Sequence, residues 1–314
     1  MLTRRGLLGA TTALGLMLSG TVAMAADTYV PLISKGFQHQ FWQAVKAGAD
    51  QAAADLGVTI TFEGPDNETM VDRQIDMLSA ALAKKPTAIG FAALDSQAAI
   101  PLLKQAKEAG IPVIAFDSGV DSDIPLATAS TDNAAAAALA ADKMAELIGG
   151  AGKVAVVAHD QTSRTGIDRR DGFLNQIQAK YPNIEVVTVQ YGGGDHLKST
   201  EVTKAILTAN PDLKGIFGTN EGSAIGVVNG VSEMGTKDLV IIGYDSGKAQ
   251  KDAIRSGLMA GAITQNPVGI GYETVKAAVE AAQGKQVPSH IDTGFYYYDN
   301  SNIDDPKIAA VLYD

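Results

Sequence analysis

From Tyr29 onward, short apolar runs of strand length alternate with stretches of helical periodicity, and partway along the chain the whole alternation starts again. Strands separated by helices cannot pair as hairpins, so this order points to parallel sheets with helices on their faces. The first set of strands is expected at Tyr29 to Ile33, Val58 to Phe62, Ala88 to Ala92, Val113 to Phe116 and Leu126 to Ala129. The second is expected at Lys153 to Val157, Ile184 to Val189, Gly215 to Gly218, Leu239 to Gly243 and Gly261 to Thr264. In the first helix Phe41, Ala44, Val45, Gly48, Ala52 and Leu56 recur at helical spacing, and Gly57 stands where a left-handed residue stops a helix. Further helices are expected over 70–84, 97–109, 133–148, 167–180, 197–209, 223–234, 248–256 and 268–283. A strand from Gly294 to Tyr298 comes last, with one more helix and strand left unplaced. An internal echo links the halves: Phe91 leads through a helix to Phe116-Asp117-Ser118, and Phe217 leads through one to Tyr244-Asp245-Ser246. The expected fold class is α/β, with two similar doubly wound, Rossmann-like parallel-sheet lobes.

Composition then removes several classes of function. A formal charge of -10, with no run of Lys and Arg, speaks against a nucleic-acid partner. The absence of cysteine excludes a disulfide framework, a thiolate zinc site and a cysteine nucleophile. The four histidines, at 39, 159, 196 and 290, are too scattered for a local metal motif, and no metal or cofactor is expected. No G-x-G-x-x-G follows the first strand and no G-x-S-x-G occurs. The run Gly192 to Ser199 resembles a phosphate loop only faintly, because Leu197 occupies the place of its second glycine. Ahead of all this, Arg4 and Arg5 precede an apolar stretch that ends in Ala23-Met24-Ala25, the pattern of an export signal over residues 1–25. The general secretory route is expected, although the paired arginines also resemble a twin-arginine signal.

In open α/β sheets a ligand binds beyond the carboxyl ends of the strands. That rule selects Asp117, Asn220, Asp245 and Gln265, which follow the strands ending at Phe116, Gly218, Gly243 and Thr264. Carboxylates and amides suit a polyhydroxylated guest, since they accept from and donate to hydroxyls at fixed geometry. An Asp or Asn in such a place also serves as an ordinary helix cap, which is how Asp95 is read. Phe41 and Trp42 open the first helix, and the expectation is that one of two adjacent aromatics points away from the core, offering its face to a sugar ring. Lys35 and His39 flank the same loop and can donate to hydroxyls. Arg169 is expected in the first turn of its helix as a forked donor, with Arg170 solvated.

Taken in order, the segments around Ser34 to Ala49, Phe116-Asp117-Ser118, Thr131-Asp132-Asn133, Arg169 to Phe173, Phe217 to Glu221, Gly243-Tyr244-Asp245 and Ile263 to Pro267 resemble the ribose-binding branch of periplasmic sugar-binding proteins. The resemblance implies two lobes joined by three crossings near Ser130 to Asn133, Gln265 to Pro267 and Asp292 to Gly294. The first lobe would hold 26–131 plus 266–292, and the second 132–265 plus 293–314. It implies a sugar or sugar alcohol held in the cleft between lobes, a periplasmic location, a monomer, and delivery to an ABC permease in the inner membrane. Carried over by position, Phe41 and Trp42 match the stacking aromatics, Asp117 and Asp245 the hydroxyl-binding carboxylates, and Arg169, Asn220 and Gln265 a polar clamp, with Tyr244 as an added wall. His39, Ala92 and Ser118 depart from the polar residues of ribose binders, so ribose is the less expected guest. Other sugars, alditols and autoinducer-2 stay open, as does presentation of a ligand to a chemoreceptor or sensor kinase. An exported sugar-converting enzyme would have to use Asp117 and Asp245 as acid and base. No nucleophile or metal set accompanies them, and no enzymatic activity is expected.

Overall fold

The computed structural model describes residues 28–314, so the expected export signal lies outside the described residues. Its first part winds as β1 (Tyr29–Ile33), α1 (Gln40–Leu56), β2 (Thr59–Glu63), α2 (Val71–Ala83), β3 (Ile89–Phe91), α3 (Ile100–Glu108), β4 (Val113–Phe116) and β5 (Ala127–Ser130). The second winds as α4 (Asn133–Leu147), β6 (Gly152–Ala158), α5 (Arg164–Lys180), β7 (Ile184–Tyr191), α6 (His196–Ala209), β8 (Leu213–Gly218), α7 (Glu221–Met234), β9 (Val240–Tyr244), α8 (Lys248–Arg255) and β10 (Gly261–Gln265). The chain ends with α9 (Pro267–Ala282), β11 (His290–Asp292), β12 (Phe295–Tyr298) and α10 (Pro306–Ala309).

Two six-stranded sheets result, ordered β11-β5-β4-β3-β1-β2 and β12-β10-β9-β8-β6-β7. Every pairing in the first is parallel. The second departs from the all-parallel expectation, because β12 runs antiparallel to β10. The reason is where the chain enters. Phe295 pairs with Gln265, the last residue of β10, so the chain reaches this sheet at the carboxyl end of its neighbour and can only run back along it.

The strand order carries the chain between sheets three times: after β5, after β10 and after β11. Two of these crossings lie side by side, since Asp292 pairs with Ser130 and Thr293 N–H donates to the Ser130 carbonyl at 3.1 Å. The third leads from β10 into α9, which packs on α1 against the first sheet. That contact is unusually close. A methyl group on Gly48 would collide with the Val268 backbone and one on Gly271 with the Val45 carbonyl, so both positions must lack a side chain. The apolar stripe predicted for α1 is buried here: Val45, Ala49 and Ala52 share a core with Ile270, Val275 and Ala278 of α9.

In the second lobe the alanine-rich face of α4 (Ala136, Ala137, Ala140, Ala141) lies against the sheet with Phe173, whose ring stacks on Phe217 at 4.8 Å. Helices here begin earlier than periodicity alone suggests, because polar caps start them. Ser163 accepts from Gly166 N–H and starts α5 at Arg164, and Asn220 accepts from Ser223 N–H and starts α7 at Glu221. The chain's end returns toward the first lobe: Tyr313 joins its core, with its ring 6.2 Å from that of Phe41. Among the described residues no helix is long and apolar enough to cross a membrane.

Candidate functional site

The carboxyl ends of the two sheets face each other. The residues just beyond them converge on a narrow space of about 20 Å³, lined by Lys35, His39, Phe41, Trp42, Asp117, Arg169, Asn220, Asp245 and Gln265, joined by Glu68, His159 and Thr165. Larger grooves elsewhere are open to solvent; the one between α2 and α3 lies near Pro86 and Ile111, at the amino ends of β3 and β4, away from these groups.

Asp117 and Asp245 each leave their strand through a left-handed turn, with φ of 55° and 80°. Such backbone is sparsely populated by side chains other than glycine and clusters at functional sites, although Asp tolerates it better than most. The two are the aspartates of the sequence echo, and they occupy equivalent places, one after β3-α3-β4 and the other after β8-α7-β9. Asp245 is tied down: Oδ1 accepts from Gln265 Nε2 at 2.7 Å and Oδ2 from Glu221 N–H at 3.0 Å. Gln265 in turn accepts from Thr131 Oγ1 at 2.8 Å, which connects the site to the first crossing. Asp117 is held more loosely, its Oδ1 lying 3.9 Å from Arg169 Nη2, beyond hydrogen-bond distance.

Burial sets the charge state of this pair. It pushes Asp117 up to about 6, against the fields of Lys35 and Arg169 and with those of Glu68 and Asp245. It raises Asp245 too, although Arg169 and the Gln265 hydrogen bond oppose it. Glu68 goes the other way. Burial favours its neutral form, but Lys35, His39, His159 and the Trp42 hydrogen bond outweigh that and hold it below the usual carboxylate range. His159 is buried between Thr219 Oγ1 at 2.8 Å and Thr165 Oγ1 at 3.2 Å, and burial keeps the imidazole neutral despite Asp160.

Arg169 lies in the second turn of α5, not the first, because the Ser163 cap moves the helix start back to Arg164. Its guanidinium is fixed by Nε–H donating to Asn133 Oδ1 at 2.7 Å and Nη1–H to the Thr219 carbonyl at 3.0 Å. Tyr244, expected as a wall, is instead the floor beneath this group: its ring lies 3.8 Å under the guanidinium carbon and its hydroxyl donates to Asn133 Oδ1. A stacked, doubly anchored guanidinium is a rigid forked donor. Arg170 is the outward one, paired with Asp171.

The aromatic pair also differs from expectation. Neither ring points away from the core: Phe41 and Trp42 are both buried, edge to face at 5.0 Å, and both line the space. Adjacent positions manage this because α1 starts at Gln40, where the opposite lobe covers its first turn as well. Trp42 Nε1–H donates to Glu68 Oε1 at 2.7 Å. Lys35, buried, donates to Thr165 Oγ1 at 3.1 Å and Ser163 Oγ at 3.3 Å across the cleft. His39 stacks on His196 of the other lobe at 5.7 Å. Asn220 both caps α7 and reaches the space, so the cap and the ligand-facing roles coincide in one residue.

Glu68 was not selected by the strand-end rule, because it comes from the loop after β2. Among the described residues no group of His, Asp and Glu is arranged to hold a metal ion. The chemistry is that of a multivalent hydrogen-bonding shell: three carboxylates, a guanidinium, an ammonium and two amides around one aromatic pair.

Comparison with known proteins agrees with this geometry. Residues 30–286 match the family described as periplasmic binding protein domain. The D-allose-binding periplasmic protein of Escherichia coli (strain K12) is 29% identical over 287 residues, covering 88% of this chain and 91% of that one. A carbohydrate transporter solute binding protein from Agrobacterium radiobacter, solved in complex with D-arabinose, superposes with a TM-score of 0.89 at 33% identity, covering 92% of this chain and 99% of that one. An ABC transporter solute binding protein from Agrobacterium vitis with bound D-fucose gives 0.88 at 34% identity, covering 91% and 100%.

Proposed function

The chain belongs to the periplasmic binding protein domain family, within its sugar-binding ABC-transporter solute-binding proteins, and on that premise we propose that it captures one monosaccharide or sugar alcohol in the periplasm and hands it unchanged to an ABC permease. What carries the reading is the convergence of hydrogen-bonding side chains from both sheets, with an aromatic pair, on one shared space between the lobes.

In this mechanism the lobes, divided at 130–133, 265–267 and 292–294, part to admit the guest. Lys35, Glu68 and Asp117 receive its hydroxyls on the first side while Phe41 and Trp42 cover an apolar C–H face. Shutting adds Arg169, Asn220, Asp245 and Gln265. Each hydrogen bond to a charged group contributes about 1.5–3 kcal/mol, and a guest missing one hydroxyl leaves a buried charged partner unpaired. Closure follows because the guest binds the shut arrangement better than the open one.

Titration calorimetry on the purified protein with D-allose, D-arabinose, D-fucose, D-ribose and their alditols tests the proposal. At least one is expected to bind with a Kd of about 1 μM or below, equivalent to roughly -8 kcal/mol, and to be recovered chemically intact. Failure of the whole panel, or turnover of the bound sugar, would reject it.

A further inference from the structure

Helix α1, which presents Phe41 and Trp42, has no cap of its own. Its N-cap residue His39 makes no side-chain cap hydrogen bond and its first turn holds no acid. The same is true of α8 in the second lobe, which follows Gly247 and likewise lacks an acid in its first turn. A helix start leaves several N–H groups without intrahelical partners. Here each helix is served from the other lobe. Glu221, at the start of α7, accepts from Gln40 N–H at 3.0 Å with one carboxylate oxygen and from Phe41 N–H at 3.1 Å with the other. In return the Gln40 side chain accepts from Lys248 N–H, the first amide of α8, at 2.8 Å.

Glu221 is buried, and two further groups orient it. Asp245 Oδ2 accepts from its N–H at 3.0 Å, and Tyr313 donates its hydroxyl to Oε2 at 3.2 Å. It does not line the ligand space. Its negative charge sits at the positive end of the α1 dipole, where a carboxylate stabilises most.

We propose that Glu221 and Gln40 form a reciprocal latch that caps α1 and α8 from the opposite lobe and thereby favours the shut state independently of the sugar. The bonds can exist only when the lobes meet; on opening, the α1 and α8 amides and the Glu221 carboxylate return to water. The latch also seats α1, so Glu221 and Gln40 are positioning residues for the aromatic pair. This rests on the reading that the lobes close around a guest.

The chain has no cysteine, so spin labels on Asp72→Cys and Glu201→Cys, exposed positions on α2 and α6 of opposite lobes, report the interlobe separation cleanly. Pulsed dipolar spectroscopy of the full chain, with and without the five-sugar panel, is compared in the labelled parent, in Gln40→Ala and in Glu221→Gln. Gln40 is only half-buried, unlike Glu221, so its variant keeps the test open should Glu221→Gln fail to fold. Losing one cap is expected to lower the short-to-long population ratio about fivefold, with or without sugar, and a purely local loss of stability would leave that ratio alone. Unchanged ratios in both variants, or a parent with no short-distance population, would overturn the latch. Absence of any monosaccharide binding by the parent would count against the sugar reading only, since the ratio still decides the latch.

Discussion

Replacing Asp117 by Asn should make the sugar-free protein more stable at neutral pH while weakening its grip on sugar. Burial raises the folded-state pKa of this carboxyl from 3.8 to about 6. A raised carboxyl favours its neutral form when folded, so its contribution is fully present below about pH 4 and is lost as pH climbs through 6. At about 1.4 kcal/mol per unit, a shift of roughly two units makes ionised Asp117 cost about 3 kcal/mol at pH 7. Asn keeps the size, carries no charge and tolerates the left-handed backbone at this position at least as well. Urea unfolding of parent and variant between pH 4 and 7.5 isolates the term. The variant should match the parent near pH 4 and gain up to about 3 kcal/mol by pH 7. Affinity moves oppositely, because the sugar hydroxyl needs the ionised acceptor: Asp117→Asn should bind about 10- to 100-fold more weakly at pH 7.5. An Asn variant whose stability follows the same pH slope as the parent, or that is less stable at pH 7, would refute the reasoning.

Parent affinity should itself fall about tenfold between pH 7.5 and pH 5 as Asp117 takes up its proton, and calorimetry across that range checks it. Asp245→Ala strips Gln265 and the Glu221 amide of their shared acceptor, so sugar binding should weaken by about 2–5 kcal/mol with circular dichroism unchanged. Trp42 is the only tryptophan and lines the space, so its emission should respond to sugar; Trp42→Phe should abolish that signal and cost about 1–3 kcal/mol of stability, read by urea titration, by orphaning Glu68. Gly271→Ala should destabilise by about 1–3 kcal/mol or more, lowering the thermal midpoint, because its methyl meets the Val45 carbonyl.

The sequence shows most of the frame because strand-helix alternation and helical periodicity are local signals. It shows Asp117, Asn220, Asp245 and Gln265 because the carboxyl ends of strands are fixed once the strands are known. Glu68 was hidden by distance. It reaches the space from a loop beyond an outer strand and is recognisable only once Trp42 and Lys35 stand beside it. His159 obeys the strand-end rule as well as Asn220 does, yet its role is set by Thr219 and Thr165, whose proximity no local pattern reveals. Strand β11 has three residues and no buried position, too short for alternation to mark it as a strand, and α10 is a single turn. The antiparallel course of β12 and the floor role of Tyr244 are consequences of how distant segments meet, which periodicity does not encode.

The interleaving of the two lobes has a consequence for synthesis. The first sheet receives its edge strand from residues 290–292 and its α1-packing helix from residues 267–282, both made after the entire second sheet except β12. A growing chain therefore exposes β5 as a bare edge and the aromatic-bearing helix without its partner until translation is almost finished. Such long-separation contacts slow folding, so the first lobe cannot complete its packing until the last residues of the chain have been made.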